Sequence, residues 1–208
     1  MVVDKPPGLE TAGRTPDDPR SLQYRLAAQL GRPVWAVHQL DRETSGANVF
    51  VRKRSLVAPW QAKLASGRKV YLAIVHGRFE AASVRVDAPL RYDEARRRWA
   101  VGEGREARSL VRRLAAADAF SLLEVELLTG RTHQARVHLA HLGHPLAGEK
   151  RYRDPPSSAH PRHALHAFRI ELAGLRFEAP VPADLGELAA RVGLAGALPS
   201  PESAPSAP

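Results

Sequence analysis

An aspartate at position 41 is the first candidate in this sequence for a side chain that does chemistry. It lies in the polar segment 38–46, which separates two apolar runs that are typical of strands. Arg42 follows it directly, and a carboxylate beside an arginine stays ionised at neutral pH. The same segment is rich in Asp, Thr, Ser and Gly, so an ordinary turn is the alternative interpretation.

A second candidate segment, residues 127–139, passes from a strand-like run into a helix-like one. Gly130, Arg131 and Thr132 stand at the junction, where a helix N-terminus offers unpaired N–H groups that favour anions. Arg131 could hold a phosphate or a catalytic carboxylate there. A capped helix with a solvated arginine is the alternative.

Four histidines near this segment raise the question of a metal site. His138 and His141 are three residues apart on the predicted helix, with His133 and His144 on either side. No acidic or cysteine ligand accompanies them, and Glu149 comes only after the helix end. We therefore prefer hydrogen-bonding or helix-face histidines and predict no metal.

The composition limits the chemistry further. The 208 residues contain no cysteine, which excludes disulfides, thiolate catalysis and iron–sulfur clusters. Neither a glycine-rich nucleotide loop nor a G-x-S-x-G nucleophile elbow occurs, which argues against ATP hydrolysis and cofactor-dependent redox chemistry. The net charge is +9, and only five of the 31 basic residues are lysines. Arginine suits phosphate, so RNA is a natural partner, although a GC-rich genome is an alternative cause.

The elements that position these residues can be predicted from apolar spacing. Helices are expected over residues 21–31, 55–67 and 132–143, with a weaker one over 184–192. Strand-like runs cover residues 34–37, 47–51, 69–76, 109–115, 121–127 and 166–172. Because strands outnumber helices and several connections are too short for a crossover helix, we predict an α+β protein with a largely antiparallel sheet.

The two ends of the chain differ from its middle. We expect one domain over residues 1–195 and a disordered Pro/Ser/Ala tail over 196–208, which cannot build a core. No apolar run approaches the ~18 residues that span a bilayer, and the start is not that of a signal peptide. A soluble, cytoplasmic protein is the expectation.

Read together, five segments resemble the RluA family of RNA pseudouridine synthases. Residues 38–46, HQLDRETSG, are similar to the family's catalytic motif H-R-L-D-x-x-T-S-G. The other segments are residues 4–9 (DKPPGL), 69–77 (KVYLAIVHG), 128–140 (LTGRTHQARVHLA) with 143–148, and 165–167 (LHA). They occur in family order and extend from residue 2 to about residue 180, so the resemblance is specific.

The resemblance implies a fold and a reaction. The fold would be a mixed, largely antiparallel sheet flanked by helices, with an active-site cleft. The reaction converts specific uridines of rRNA or tRNA to pseudouridine: the N1–C1′ bond breaks, the uracil turns, and it rejoins through C5. Asp41 would be the nucleophile, Arg131 its charged partner and Tyr71 the aromatic that stacks on the base. An isomerisation of this kind needs no cofactor, and the target base must be flipped from its stack.

The resemblance also implies supporting residues around the nucleophile. We expect substrate-binding or supporting roles for His38, Gln39, Leu40, Arg42, Thr44 and Arg136. At position 39 the family has an arginine associated with the space that the flipped base vacates, whereas glutamine lacks its charge and flat fork. Arg96, Arg97 and Arg98 resemble a family hairpin that offers basic residues to RNA; a solvated turn is the alternative.

The surroundings of the domain and two rival functions complete the prediction. Family domains have strand residues before K-P-x-G, and only residues 1–4 precede it here, so we expect a truncated first strand and an upstream start. We expect no S4-type domain, a monomer, and structured RNA as the partner.

A catalytically inactive RNA-binding protein with the same fold is one rival to this predicted function. A hydrolase of another glycosidic bond is the other, and it would need a second carboxylate such as Glu43.

Overall fold

The computed structural model describes residues 1–15 and 17–199 of the chain. Its elements in chain order are β1 (Val2–Lys5), α1 (Leu22–Leu30), β2 (Trp35–Ala36), β3 (Ser45–Val51), α2 (Val57–Ser66), β4 (Arg68–His76), β5 (Ser83–Asp87), β6 (Leu90–Asp93), β7 (Arg98–Val101), β8 (Arg108–Ala116), β9 (Phe120–Leu127), α3 (Gln134–His141), β10 (Leu165–Leu172), β11 (Leu175–Glu178) and α4 (Ala183–Arg191). Short 3-10 turns occupy Arg54–Leu56 and Ala195–Ala197.

Nine strands form one mixed sheet. Its order is β1-β3-β10-β4-β9-β8-β5, with β2 beside β3 and β11 beside β10, while β6 and β7 form a separate hairpin. Among the described strand pairs, β3 and β10 run parallel and all the others antiparallel. The predicted α+β class with a largely antiparallel sheet is confirmed.

Strand β4 lies at the centre of the sheet and carries apolar side chains on both of its faces. Tyr71 and Val75 pack in a cluster that includes Leu139 of α3. Leu72 and Ile74 point to the other face, in a cluster with residues of α4. Since helices cover both faces, the strand reads as a continuous apolar run rather than an alternating one.

Helices α1 and α2 are close to their predicted bounds. The Ser21 hydroxyl accepts the Tyr24 N–H at the start of α1, and Gly31 ends it with a left-handed φ of 63°. Helix α2 begins at Val57 after the 3-10 turn and packs Leu64 into a cluster with Val37. These contacts fix α2 beside the segment that carries Asp41.

Helix α3 is shorter than predicted, and this matters for the site. It begins at Gln134 rather than near Thr132, because His133 has a left-handed φ of 57° that no α-helix accommodates. The Gln134 side chain accepts the Arg131 N–H at 3.0 Å and so closes the turn before the helix. Arg131 therefore lies in a turn, and Arg136 lies within the first turn of the helix.

The described chain extends past the predicted C-terminal boundary of the domain. Residues 195–197 form a 3-10 turn, and Ala197 and Leu198 pack against the cluster around Leu185 of α4. The structure thus describes residues 196–199 of the tail predicted from residue 196, and the domain boundary itself stays a prediction. Residues 200–208 of the predicted tail lie outside the described residues.

Candidate active site

A cleft of about 790 Å³ opens on the face of the sheet that carries α2 and α3. It is walled by the segment before β3, by β4, by α2 and by the start of α3. The cleft brings together nine residues that the sequence analysis singled out: His38, Gln39, Leu40, Asp41, Arg42, Thr44, Tyr71, Arg131 and Arg136. Segments more than ninety positions apart thus meet around one carboxylate.

The partner of the Asp41 carboxylate is Arg136. Its Nη1 donates to Asp41 Oδ2 at 3.0 Å, while its Nε and Nη2 donate to the two oxygens of Glu149 at 2.9 and 2.8 Å. The Glu149 side chain is fully buried, and that of Asp41 keeps 24% of its exposure. Arg136 is thus held by a bidentate pair with Glu149, and its Nη1 donates to the partly exposed carboxylate of Asp41.

The predicted pairing of Asp41 with Arg131 is wrong. The Arg131 Nε donates to the backbone carbonyl of Glu106 at 2.8 Å instead. The cause is the late start of α3, which leaves Arg131 in a partly exposed turn and puts Arg136 on a buried helical face. In the sequence, Arg136 stands between two apolar residues, Ala135 and Val137, and this was the signal that could have indicated a buried arginine.

The contacts between Arg136 and Glu149 keep both of these buried groups ionised. Burial alone would lower the pKa of Arg136, but its hydrogen bonds and charge contacts with Glu149 and Asp41 outweigh that effect and raise the pKa. Burial would raise the pKa of Glu149, yet Arg136 outweighs it and holds the pKa below its ordinary value. Glu149 also accepts the N–H groups of Arg151 and Tyr152 at 2.9 and 3.3 Å.

The second oxygen of Asp41 faces His133. Nε2 of that histidine lies 3.6 Å from Asp41 Oδ1, and its Nδ1 is 2.5 Å from the Tyr152 hydroxyl. Burial lowers the pKa of His133 despite the nearby carboxylate, so the ring is neutral near pH 7. Burial likewise raises the pKa of Tyr152 to about 12. Sequence reasoning missed Glu149 and Tyr152 as site residues and considered His133 only as a metal ligand.

A buried lysine holds the loop that carries Asp41. The Lys5 side chain is fully buried, and its Nζ donates to the carbonyls of Pro6, Leu9 and Arg42 at 2.9, 2.8 and 3.0 Å. The Gly8 N–H donates to the same Arg42 carbonyl at 2.9 Å. Burial lowers the pKa of Lys5 to about 8. The N-terminal segment therefore fixes the residue next to Asp41.

The residues on either side of Asp41 are fixed as well. The Leu40 N–H donates to the Thr11 hydroxyl at 3.0 Å, and the Leu40 side chain packs in the apolar cluster of Tyr71. The Thr44 hydroxyl lies 2.8 Å from Nε2 of His163, and the Thr44 N–H closes a turn onto the Asp41 carbonyl at 2.9 Å. His163 gives Thr44 a supporting role that the sequence did not reveal.

Glycine at position 46 has a steric reason. Its φ is 113°, and a Cβ there would lie 2.3 Å from the Ala167 carbonyl oxygen of β10. Any other residue would push apart β3 and β10, the parallel pair that follows the loop carrying Asp41. The Ser45 hydroxyl, 3.0 Å from Nδ1 of His166, joins the same two strands.

Tyr71 and His38 form the inner wall of the cleft. Tyr71 is buried, and both its burial and the Asp41 charge raise the pKa of its hydroxyl, which therefore stays protonated. Nε2 of His38 accepts the Val49 N–H at 3.2 Å, and burial lowers the pKa of His38 to about 4. His38 is thus a neutral side chain that ties the loop to β3.

The arginine hairpin lies beside the site rather than inside it. The Arg98 guanidinium donates to the Arg151 carbonyl at 2.7 Å, and the Arg151 side chain donates to the Arg97 carbonyl. Arg96 is mostly exposed, with Asp93 at 3.9 Å. These contacts dock the β6–β7 hairpin next to Tyr152, and contact with RNA stays a prediction for all three arginines.

A metal-binding cluster and a membrane-spanning helix are both absent from the part of the chain that the structure describes. Within residues 1–15 and 17–199, no group of three or more acidic or histidine side chains could hold a metal ion. His138 Nδ1 and Nε2 lie 2.9 and 3.0 Å from the Ser109 hydroxyl and the Ala88 carbonyl, and His144 Nδ1 lies 2.9 Å from the His76 carbonyl. In the same part of the chain, no helix is long and apolar enough to cross a membrane.

The geometry agrees with the comparison to known proteins. Residues 1–141 match the model of a family described as RNA pseudouridylate synthase. The chain belongs to the RNA pseudouridylate synthase family. The RluA-type resemblance of its motifs is thereby confirmed, and Asp41, Tyr71 and Arg136 all lie within the matched residues.

Relatives within this family share the greater part of the chain. An uncharacterized RNA pseudouridine synthase of Chloroflexus aurantiacus is 44% identical over 162 residues, which are 72% of this chain and 50% of that protein. The ribosomal large subunit pseudouridine synthase D of Nitrosomonas europaea is 37% identical over 213 residues, covering 90% of this chain and 61% of that protein. The chain thus spans between half and two thirds of the length of these two relatives.

Solved structures in the family have the same fold. Human RNA pseudouridylate synthase domain containing 4 superposes with a TM-score of 0.74 at 22% identity, covering 92% of this chain and 89% of that chain. Human RNA pseudouridylate synthase domain containing 1 gives 0.68 at 24% identity, with 97% and 92% covered. The predicted pseudouridine synthase fold is confirmed.

Proposed function

We propose that this chain is an RNA pseudouridine synthase whose nucleophile is Asp41. The observation that carries the proposal is the contact between the partly exposed Asp41 carboxylate and the buried Arg136 guanidinium inside the cleft. A carboxylate must be ionised to attack, and a fixed cation held by a second carboxylate keeps it so. Membership of the family supports the same reading.

The reaction assigns a role to each side chain of the cleft. Asp41 attacks the flipped uridine, at the ribose or at the base, and the N1–C1′ glycosidic bond breaks. The uracil turns and C5 bonds to C1′; the bond to Asp41 breaks, C5 loses its proton, and N1, which has lost its bond to C1′, takes one up. No redox equivalent enters or leaves, so atoms and electrons balance within the nucleotide. Arg136 stabilises the carboxylate before attack and after release.

Tyr71 is proposed as the stacking surface for the uracil. Its ring lines the cleft on the same wall as Leu40, and its protonated hydroxyl brings no second charge next to Asp41. Aromatic rings accept any base face and hold a flipped base through stacking. Gln39, exposed at the rim of the cleft, would face the space that the base leaves.

The RNA is proposed to be rRNA or tRNA, bound largely through its phosphates. A net charge of +9 supports this electrostatic component, as do Arg42 and Arg131 in the lining of the cleft. Affinity should then fall steeply with salt concentration. We further propose that the described chain acts as one catalytic domain, as a monomer in the cytoplasm, with structured RNA as its substrate.

Pseudouridine mapping tests the proposal in cells. We would map pseudouridine in rRNA and tRNA from a parent strain and a gene-deletion strain, and then reintroduce either the wild-type gene or Asp41→Asn. Loss of defined sites that only the wild-type gene restores is the expected result. Equal restoration by Asp41→Asn, or identical maps in both strains, would favour a catalytically inactive RNA-binding protein instead.

A further inference from the structure

Part of the cleft lining lies beyond the residues around Asp41. This part, which we call the second arm, runs from Tyr71 along β4 to Lys69 and includes residues of α2 and of the segment before Asp41. Side chains two positions apart on a strand point to the same face, so Lys69 and Tyr71 line one wall. Lys69 is the basic residue in this arm.

The Lys69 side chain is buried but not paired. Its exposure is 8%, and its Nζ donates to the Leu64 carbonyl at 3.1 Å. Within residues 1–15 and 17–199, no carboxylate lies within 4.0 Å of this ammonium group. Burial lowers the pKa of Lys69, and the charge that opposes this effect is that of Glu126, whose oxygens are held by Arg68 at 2.7 and 3.0 Å. An ammonium group has three donors, and two of those on Lys69 have no partner there.

A structural role accounts for only part of this arrangement. Leu64 is near the end of α2, and a lysine that binds one of the last carbonyls stabilises a helix C-terminus. One hydrogen bond serves that purpose, and an exposed lysine could make it at lower cost. A buried cation without a carboxylate is expensive unless an anion binds it. His38, its neighbour in the cleft, is neutral and offers no negative charge.

We propose that Lys69 forms a phosphate-binding subsite for an RNA phosphodiester next to the target uridine. The inference rests on the proposed function, because Asp41 and Tyr71 define where the nucleoside lies. With the base on Tyr71, the backbone can pass along the same strand face toward Lys69. Gln61, which donates to the Val37 carbonyl at 3.0 Å, holds the two walls of this arm together. The subsite would position the nucleotide, while the chemistry stays with Asp41.

Salt-dependent binding of a short fluorescein-labelled oligouridylate tests the subsite. We would compare wild type, Lys69→Gln and the matched control Lys63→Gln, whose lysine is exposed on α2 over Trp60. Each phosphate contact on a single strand contributes about 0.7 to the slope of log K against log salt. The magnitude of this slope should fall by about that amount in Lys69→Gln and should stay unchanged in Lys63→Gln. An unchanged slope for Lys69→Gln, or equal losses in both variants, would overturn the proposal.

A measurement on the wild-type chain covers the case in which Lys69→Gln fails to fold. The ammonium resonance of Lys69, assigned through Lys69→Arg, should shift when oligouridylate is added. Inorganic phosphate at the same concentration should shift it much less, since a backbone phosphate is delivered by the bound nucleotide. No shift with oligouridylate, or an equal shift with inorganic phosphate, overturns the assignment.

The outcome for the subsite is separable from that for the proposed function. Tritium release from RNA by the wild-type protein reports on the isomerisation alone. If release occurs and the Lys69 results are negative, only the subsite fails. If no RNA releases tritium, the proposed function fails, whatever Lys69 binds.

Discussion

Arg136 Nη1 lies 3.0 Å from Asp41 Oδ2, although 95 positions separate the two residues in the chain. The other side of the same guanidinium is held by Glu149, which is fully buried. The arrangement orients a cation toward a partly exposed carboxylate that lines the cleft. Its consequences can be measured at each of the three side chains and at the loop that carries Asp41.

Replacing Arg136 should affect turnover far more than replacing Arg131. Arg136→Lys keeps a positive charge but cannot donate to Glu149 and Asp41 together in a planar fork. We expect a fall in kcat of about 100-fold or more, the usual effect of losing a fixed electrostatic contact. Arg131→Gln should change kcat less than about tenfold and act on KM, because Arg131 contacts the Glu106 carbonyl. Single-turnover kinetics on substrate RNA would check this, and the reverse order would contradict the assignment.

Glu149 should stabilise the fold in a pH-dependent way. Its folded-state pKa lies below the value of 4.5 for an unperturbed glutamate. The stabilisation is therefore complete above pH 4.5 and is lost as the pH falls through the folded-state pKa. Glu149→Gln should lower the free energy of unfolding by about 3 kcal/mol at pH 7, since it leaves a buried arginine with one partner.

Denaturant unfolding of both proteins from pH 7 to pH 3 measures this difference. The gap between wild type and Glu149→Gln should narrow below pH 4.5. His38, whose pKa is lowered by burial to about 4, titrates in both proteins and cancels in the comparison. Burial lowers the pKa of His163 to about 3 and the Glu149 charge opposes that effect, so His163 contributes to the difference near pH 3. A gap that is constant across this range would mean that Glu149 is not ionised in the folded protein.

Lys5 should support the catalytic loop. Lys5→Met removes the side-chain donor to the carbonyls of Pro6, Leu9 and Arg42, of which the Arg42 carbonyl keeps the Gly8 N–H; each buried group left unsatisfied costs about 1–3 kcal/mol. We expect a lower melting temperature and a fall in kcat with little change in RNA affinity, because Arg42 adjoins Asp41. Lys53→Met, at an exposed lysine, is the control. Unchanged kcat in a folded Lys5→Met protein would show that the loop is held by other contacts.

Gln39 tests how the target base leaves its stack. The side chain is exposed at the cleft rim, so an arginine there should fit without strain. Gln39→Arg should preserve or raise turnover if glutamine limits flipping, since arginine adds a charge and a stacking plane. Fluorescence of 2-aminopurine placed beside the target uridine would report flipping directly. A clear loss of turnover would show that Gln39 is matched to its own RNA.

The sequence identified the segments of the site but not its internal pairing. Asp41, Tyr71 and the segment 128–140 were found because their motifs are local in the chain. The choice between Arg131 and Arg136 depends on where α3 begins, and the left-handed backbone of His133, which sets that point, leaves no periodic signal. Glu149 belongs to a different segment, and only the tertiary fold brings it behind Arg136.

The same reasoning applies to the fold. Long apolar strands such as β4 and β9 were predicted within one residue at each end, because burial imposes a continuous pattern on them. The short strands β5 and β11 were missed, since they are five and four residues long and partly exposed. The first strand and the hairpin of β6 and β7 were expected only from the family resemblance and without bounds. Lys5 illustrates the limit: a lysine at a chain end gives no sequence sign that it is completely buried.

Release of tritium from RNA that carries 5-tritiated uridine tests the central claim most directly. Isomerisation replaces the C5–H bond by a C5–C1′ bond, so each pseudouridine formed liberates one tritium atom into water. The purified wild-type chain should release tritium from rRNA or tRNA of cells that lack the gene, and Asp41→Asn should release none while still binding the RNA. Release by Asp41→Asn at the wild-type rate, or none by the wild type, would contradict Asp41 as the nucleophile of an RNA pseudouridine synthase.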